Sequence, residues 1–189
     1  MKRLVIKVGT AVLTQDGQLA IERMENLVDL IAKLKNEKKL EVILVSSGAV
    51  GAGYTTLKLD KKIIANKQAL AAIGQPLLLK HYKKRFKEHN ISCAQMLFIA
   101  DDFDSRKRTK NAQDVMEILL ENKILPIINE NDVIANYELL FGDNDQLAAH
   151  VAFHFKADML AILSDIDGYY NKNPREFDDA VLQKEVSYI

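Results

Sequence analysis

The strongest constraint on the fold is the alternation of short, continuously apolar runs with longer amphipathic segments. The apolar runs are RLVIKV (3–8), LEVILVSS (40–47), ISCAQMLFI (91–99), KILPIIN (123–129) and DMLAILSD (158–165). Between them, apolar residues recur at helical spacing over 21–34, 61–88, 112–120 and 145–155. Such alternation is typical of a parallel sheet covered on both faces. The sequence therefore predicts an α/β fold, a three-layer αβα sandwich with a mostly parallel central sheet, in a single domain over 1–189.

Composition excludes several classes of function. The 26 Lys and Arg residues balance 26 Asp and Glu residues, so no general basic field attracts nucleic acid. No apolar run approaches the roughly 20 residues that span a bilayer, and the chain starts with a strand rather than a signal peptide. Cys93, the single cysteine, lies in an apolar run and is interpreted as a core residue of a protein from a reducing compartment. We predict a cytoplasmic protein that binds neither nucleic acid nor membrane.

Small and polar residues follow the apolar runs directly. They are Gly9-Thr10 after the first run, SSGA (46–49) at the end of the second, NENDVI (129–134) at the end of the fourth, and Ser164-Asp165 at the end of the fifth. In open α/β sheets, ligands bind in the crevice beyond the carboxyl ends of the strands. The sequence therefore predicts that these loops converge on one binding site.

A lysine interrupts the first apolar run. Lys7 is followed closely by Gly9 and Thr10, which could form either a plain strand-to-helix turn or a phosphate site with one cation nearby. The sequence matches neither GxxxxGK[ST] nor GxGxxG, so neither of those nucleotide motifs explains the pattern. On these residues alone both interpretations stay open.

The segment SSGAVGAG (46–53) places three glycines at a strand-to-helix junction. One explanation is tight packing of the helix against the sheet. The other is a group of backbone N–H donors at a helix N-terminus, which favours a carboxylate or a phosphate. Because glycines cost backbone entropy at a helix start, we favour the anion-binding explanation.

Carboxylates and amides cluster in NENDVI (129–134) and FGDNDQ (141–146). Part of this cluster is explained by turns and helix caps, where Asp and Asn are preferred. The remainder indicates a site that binds an ammonium group and positions lysines; the residues concerned are Asn129, Glu130, Asn131, Asp132, Asp143, Asn144 and Asp145.

Two histidines stand four residues apart on a predicted helix. His150 and His154 have the spacing of a metal pair, but HExxH is absent and no third ligand is evident. We therefore predict no metal ion bound by protein side chains.

Five motifs resemble the glutamate 5-kinase branch of the amino acid kinase family. They are VIKVGTAVLT (5–14), VSSGAVGAG (45–53), ALAAIGQ (69–75), PIINENDVI (126–134) and FGDNDQLAAHVA (141–152), in the family's order. The Ser-Ser-Gly-Ala loop combined with NEND is specific for this branch, since acetylglutamate and uridylate kinases carry a different glycine-rich loop. The resemblance implies the amino acid kinase fold and transfer of the γ-phosphoryl group of ATP to the side-chain carboxylate of L-glutamate, the first step of proline biosynthesis.

The resemblance also implies roles for individual residues. Lys7 would stabilise the transferring phosphoryl group, and Asp145 would orient that lysine. The substrate-binding residues would be Ser47, Gly48, Ala49, Asp132 and Asn144, and the nucleotide- or phosphate-binding residues would be Lys7, Gly9, Thr10, Ser164 and Asp165. ATP would carry Mg²⁺ held mainly by its phosphates.

Further expectations follow from the family. They are feedback inhibition by proline and a homo-oligomer (dimer or tetramer). The family also has a Gly-Thr-Gly-Gly-Met segment with a second catalytic lysine. That segment would follow position 189, so residues 1–189 are expected to be a kinase domain that is incomplete at its C-terminal side. No RNA-binding-like domain is expected within this sequence. The alternatives are another enzyme of the family, or a non-catalytic sensor that binds glutamate or proline.

Overall fold

A parallel five-stranded sheet forms the centre of the molecule, in a computed structural model that describes residues 2–99, 101–135 and 144–186. The strands are β1 (Arg3–Val8), β2 (Thr14–Gln15), β3 (Gln18–Leu19), β4 (Glu41–Ser46), β5 (Cys93–Phe98), β6 (Leu125–Glu130), β7 (Met159–Leu163), β8 (Tyr169–Tyr170) and β9 (Leu182–Gln183). The central sheet has the order β5-β6-β4-β1-β7, and each neighbouring pair is parallel. Strands β2–β3 and β8–β9 form small antiparallel pairs.

Helices connect the strands of the sheet. They are α1 (Thr10–Leu13), α2 (Ile21–Asn36), α3 (Ala49–Thr56), α4 (Ile64–Glu88), α5 (Asp101–Asp104), α6 (Arg106–Glu121) and α7 (Asp145–His154). In the described part of the chain, none of them is long and apolar enough to cross a bilayer.

Two apolar layers lie on opposite faces of the sheet. Alternate residues of β1 point to opposite sides, so that Ile6 packs with α2 and α4 whereas Val5 packs with α6 and α7. Tyr82 and Phe86 of α4 are fully buried in the first layer. This arrangement confirms the predicted three-layer αβα sandwich.

Arg3 joins three elements at the amino edge of the sheet. Its guanidinium donates to Glu41 of β4 at 2.9 Å and to both carboxylate oxygens of Glu117 of α6 at 2.7 and 2.8 Å. It also donates to the carbonyl oxygen of Phe155, which follows α7. A bidentate guanidinium–carboxylate pair is among the stronger polar contacts in proteins, so Arg3 stabilises the edge opposite the carboxyl ends of the strands.

The predicted strands agree with the observed sheet to within one or two residues at most ends. The long helical pattern over 61–88 corresponds to α4, and those over 21–34, 112–120 and 145–155 correspond to α2, α6 and α7. The sequence did not predict the short elements α1, β2, β3, α5, β8 and β9. These elements span at most four residues each, too few for a periodic apolar pattern.

Candidate active site

A cleft of about 370 Å³ opens at the carboxyl edge of the sheet. It is lined by Lys7, Gly9, Thr10, Ala11, Val12, Ser47, Gly48, Ala49, Val50, Gly51, Lys67, Asn129, Glu130, Asp132, Asn144, Ser164 and Asp165. The residues to which the resemblance gives a role all line this cleft except Asp145, which contacts Lys7. Of the wider polar cluster, Asn131 does not line the cleft. The loops after β1, β4, β6 and β7 therefore converge, as the crevice rule predicted.

Lys7 and Asp145 form a close ion pair at the edge of this cleft. The distance from Lys7 Nζ to a carboxylate oxygen of Asp145 is 2.6 Å, and the lysine is only 1 % exposed. Lys7 lies near the end of β1 on the face covered by α7, and Asp145 is the first residue of α7. An ammonium group can remain charged at such a buried position because a carboxylate compensates it.

Gly9 lies beside the ammonium group of Lys7. A Cβ atom at Gly9 would lie 3.4 Å from Lys7 Nζ and 3.7 Å from the carbonyl oxygen of Leu163. The Gly9 N–H donates to that same carbonyl oxygen at 3.2 Å. The next amides, those of Thr10 and Ala11, belong to the first turn of α1, where helix geometry leaves N–H groups without intrahelical acceptors.

The glycines of the SSGAVGAG segment separate into two structural roles. Gly48 precedes α3 with φ +103°, a left-handed conformation that favours glycine, and it places the start of α3 at the cleft. Gly53 is instead required by helix packing, because a Cβ atom there would lie 1.9 Å from the carbonyl oxygen of Leu70 in α4. Packing therefore explains Gly53, although its partner is α4 rather than the sheet, whereas anion binding at the start of α3 stays a prediction.

Buried amides join the loop after β4 to the start of α7. Asn144 Nδ2 lies 3.0 Å from Ser47 Oγ, 3.2 Å from the carbonyl oxygen of Ser46 and 2.9 Å from Asn129 Oδ1. On the other face of the sheet, Ser46 Oγ is hydrogen-bonded to the buried hydroxyl of Tyr82 at 2.9 Å. These contacts bring together Ser47 and Asn144, two residues for which the resemblance implies substrate binding.

Two carboxylates and a lysine form a second charged group in the cleft. Burial, reinforced by the charge of Asp132, raises the pKa of Glu130 to about 7. Burial also raises the pKa of Asp132, and the nearby ammonium of Lys67 opposes this rise for both acids. Carboxylates clustered beside one ammonium group make this part of the cleft a suitable site for a cationic ligand group.

Ser164 and Asp165 are exposed at the side of the cleft formed by the end of β7. Asp165 forms an ion pair with Arg175, and this contact lowers the pKa of the Asp165 carboxyl group. Ser164 Oγ lies 3.4 Å from the other carboxylate oxygen.

The histidine pair lies away from the cleft. The rings of His150 and His154 both stack on Phe103, with centroid distances of 5.1 and 5.2 Å. Across the residues that the structure describes, no three His, Cys, Asp or Glu side chains are grouped as metal ligands. Cys93 packs against the core, and burial raises the pKa of its thiol to about 12, as expected of a structural rather than a reactive cysteine.

Sequence reasoning did not assign Lys67 to the site. Lys67 belongs to α4. The amphipathic pattern of this helix does not distinguish Lys67 from the other lysines of α4. Its closeness to the ALAAIGQ motif was the available signal. Asn129 and Glu130 were recognised only as members of a polar cluster, and Asp143 lies outside the described residues.

Comparison with known proteins adds independent information. The sequence matches the amino acid kinase family over residues 2–189. A glutamate 5-kinase of Wolinella succinogenes is 56% identical, with 100% of this chain and 74% of the relative covered. One of Leishmania donovani is 54% identical over 98% of this chain and 70% of the relative. The glutamate 5-kinase 2 of Bacillus subtilis is 48% identical over 100% of this chain, which spans 52% of that relative.

Solved structures resemble this chain in fold. A UMP kinase from Ureaplasma parvum gives a TM-score of 0.63 at 17% identity, covering 98% of this chain and 76% of its own. An isopentenyl phosphate kinase gives a TM-score of 0.67 at 16% identity, covering 98% and 81%. At such low identity the likeness concerns the fold alone, and it confirms the predicted architecture.

Proposed function

Because this chain belongs to the amino acid kinase family and, within it, to the glutamate 5-kinases, we propose that its cleft transfers the γ-phosphoryl group of ATP to the side-chain carboxylate of L-glutamate. The product is γ-glutamyl phosphate, and the reaction is the first step of proline biosynthesis. The observation that carries the proposal is the Lys7–Asp145 ion pair, which holds a buried cation between the loops after β1, β4 and β7.

The chemistry of the reaction suits this arrangement. The side-chain carboxylate of glutamate is ionised at neutral pH, so the nucleophile needs no general base. Phosphoryl transfer depends instead on in-line positioning and on cations that stabilise the charge of the transferring group. Lys7 supplies such a cation, and its pairing with Asp145 fixes the position of the ammonium group.

The two sides of the cleft suit the two substrates. Glutamate lies between the Ser47–Asn144 contact and Asp132, with the Asp132 carboxylate facing its α-ammonium group. The start of α3, at Gly48 and Ala49, offers backbone N–H groups to a carboxylate. The phosphates of ATP lie near Gly9 and Thr10, and the remainder of the nucleotide lies toward Ser164 and Asp165.

Mg²⁺ is proposed to enter with ATP. We propose that the ion is held mainly by phosphate oxygens and water, which are the ligands that Mg²⁺ keeps in most nucleotide complexes. When bound, Mg²⁺ would neutralise part of the phosphate charge.

We also propose three properties that are common in the family: inhibition by proline, a homo-oligomeric state and a cytoplasmic location. Proline carries the same α-carboxylate and a similar ammonium group as glutamate, which supports its binding as an inhibitor in the same cleft. A homo-oligomeric state and a cytoplasmic location rest on the family alone.

The proposed reaction can be tested directly. The protein, ATP, Mg²⁺ and L-glutamate are incubated with hydroxylamine, which converts an acyl phosphate into a stable hydroxamate. We expect hydroxamate to form only when both substrates are present. ATP turnover that does not depend on glutamate would contradict the proposal, whereas binding of glutamate without any binding of ATP would favour a sensor.

A further inference from the structure

The N-terminal half of α4 is held against the loop that follows β6. Gln68 Nε2 donates to the carbonyl oxygen of Val133 at 3.3 Å, and Gln75 Nε2 donates to the carbonyl oxygen of Glu130 at 3.4 Å. These bonds flank the segment that carries Asp132. Lys67 immediately precedes Gln68 and lines the cleft, so the packing of α4 places its ammonium group beside this loop.

The charges around Lys67 divide the cleft into two parts. Among the described residues that line it, the cations are Lys7 and Lys67, and the anions are Glu130, Asp132 and Asp165. Lys7 contacts Asp145, and Asp165 contacts Arg175. Lys67 interacts instead with Glu130 and Asp132. The cleft therefore carries, besides the Lys7–Asp145 pair, a mixed group of one ammonium and two carboxylates.

L-Glutamate presents a matching pair of charges. When its side-chain carboxylate lies at Lys7, the opposite end of the molecule carries an ammonium and a carboxylate on a single carbon atom. Asp132 suits the ammonium, but another carboxylate close to Asp132 and Glu130 would be repelled unless a cation faced it. Lys67 supplies a cation close to Asp132 and Glu130.

We propose that Lys67 binds the α-carboxylate of the substrate and thereby makes the enzyme specific for α-amino acids. This role rests on the proposed phosphorylation of glutamate. Together, Lys67 and Asp132 recognise the zwitterionic end of glutamate, whereas Lys7 serves the reacting end. Lys67 is a specificity-determining residue rather than a group that acts on the transferring phosphoryl.

The alternative is that Lys67 only stabilises the loop by pairing with its carboxylates. Substrate analogues separate the two roles. 4-Aminobutanoate retains the side-chain carboxylate and the ammonium group of glutamate but lacks the α-carboxylate. Glutarate retains both carboxylates but lacks the ammonium group. Binding of all three ligands is measured by calorimetry, with competition against L-glutamate for the weak ligands.

The variants are Lys67→Met and Lys67→Arg, with Lys62→Met as the control because Lys62 is exposed before α4 and outside the cleft. For Lys67→Met we expect L-glutamate to bind roughly 10- to 100-fold more weakly, the effect of losing one charged hydrogen bond. The affinity for 4-aminobutanoate should stay unchanged or increase, because the carboxylates lose a competing cation. Lys67→Arg should restore most of the preference for glutamate, and Lys62→Met should behave as wild type.

The ratio of the affinity for L-glutamate to the affinity for 4-aminobutanoate decides the outcome. If Lys67→Met prefers glutamate over 4-aminobutanoate as strongly as wild type does, Lys67 does not bind the α-carboxylate. If Lys67→Met weakens the binding of both ligands by the same factor, the lysine has only a structural role. Thermal unfolding of each variant verifies that it is folded. If the wild-type protein binds no L-glutamate at all, the proposed function itself is wrong, and this role is excluded with it.

Discussion

Lys7 is a charged side chain in an otherwise apolar strand, and the structure explains how the fold tolerates it. Its neighbours Ile6 and Val8 pack into the core, whereas its own ammonium group reaches the carboxyl edge and meets Asp145. The residue is almost fully buried. Burial removes competing water, which strengthens the interaction of a cation with an anionic transition state.

We expect Lys7→Met to lower kcat by roughly 10²- to 10³-fold, the effect of losing one preorganised charged contact to the transition state. The KM values for ATP and glutamate should change less than kcat. Asp145→Asn, which leaves the ammonium group in place, should cause a smaller loss. The hydroxamate assay measures both variants, and a Lys7→Met enzyme with kcat within about threefold of wild type would exclude the proposed role.

Glu130 is a cleft residue for which a pH effect on stability is expected. Its pKa rises from the ordinary 4.5 to about 7, chiefly through burial. Between these values the unfolded chain has lost the proton while the folded protein retains it, so the free energy of unfolding falls as pH rises from about 4.5 to about 7. We estimate this contribution at roughly 1–3 kcal/mol.

The test compares wild type with Glu130→Gln in denaturant titrations across that pH range. The variant should gain stability relative to wild type as pH rises, and the difference should level off above the raised pKa of Glu130. Glu121→Gln, at the exposed end of α6, serves as the control and should follow wild type. Parallel curves for wild type and Glu130→Gln would show that Glu130 titrates normally.

Among the contacts between secondary-structure elements, the one between α3 and α4 controls the geometry of the cleft. A Cβ atom at Gly74 of α4 would lie 1.7 Å from the carbonyl oxygen of Ala49 and 2.6 Å from the backbone nitrogen of Gly53. The two helix backbones therefore touch. Because α3 begins at the cleft, its position relative to α4 determines where the amides of Gly48 and Ala49 lie.

We expect Gly74→Ala to force the two helices apart. Overpacking of this kind costs roughly 1–3 kcal/mol of unfolding free energy, and the displacement of α3 should also weaken glutamate binding. Ala72→Ser, on the exposed side of the same helix, is the matched control. Denaturant unfolding and calorimetry measure the two effects, and a stable Gly74→Ala variant with wild-type affinity would contradict the packing argument.

At the scale of the whole molecule, stability and function occupy opposite edges of the sheet. Arg3 connects β1, β4, α6 and the end of α7 at the amino edge, whereas the candidate active site lies at the carboxyl edge. Parallel strands create this division because all of their carboxyl ends face the same way. Changes at the amino edge should therefore affect folding without altering ligand binding.

We expect Arg3→Met to lower the free energy of unfolding by roughly 2–4 kcal/mol, since it leaves two carboxylates and a carbonyl group without their shared donor. The calorimetric affinity for glutamate should remain as in wild type. Lys2→Met removes an exposed side chain that contacts the same Glu41 and should leave the unfolding midpoint unchanged. A loss of glutamate affinity in folded Arg3→Met would refute the separation of the two edges.

The sequence predicted the sheet better than the details of the site. Continuous apolar runs identify buried parallel strands because both faces of such strands are covered, and each predicted run contains most of one strand of the central sheet. The positions of Ser47 and Asp132 after strands predicted that they lie at one edge of the sheet, whereas Asn144, at the start of α7, was grouped with them only through the family resemblance. The same rule did not identify Lys67, because that residue enters the cleft from the side of a helix.

By itself, the sequence determined the fold class, the edge of the sheet that carries the site and the family to which the chain belongs. It did so because apolar periodicity and the motifs that follow strands are local properties of a chain. Only the tertiary structure decided that Lys7 is almost fully buried with its ammonium group 2.6 Å from Asp145, that Gly53 and Gly74 serve the contact between two helices, and that Lys67 lies close enough to Asp132 to oppose the rise of its pKa. These pairings join residues far apart in sequence, and they depend on the strand order and helix packing that bring them together.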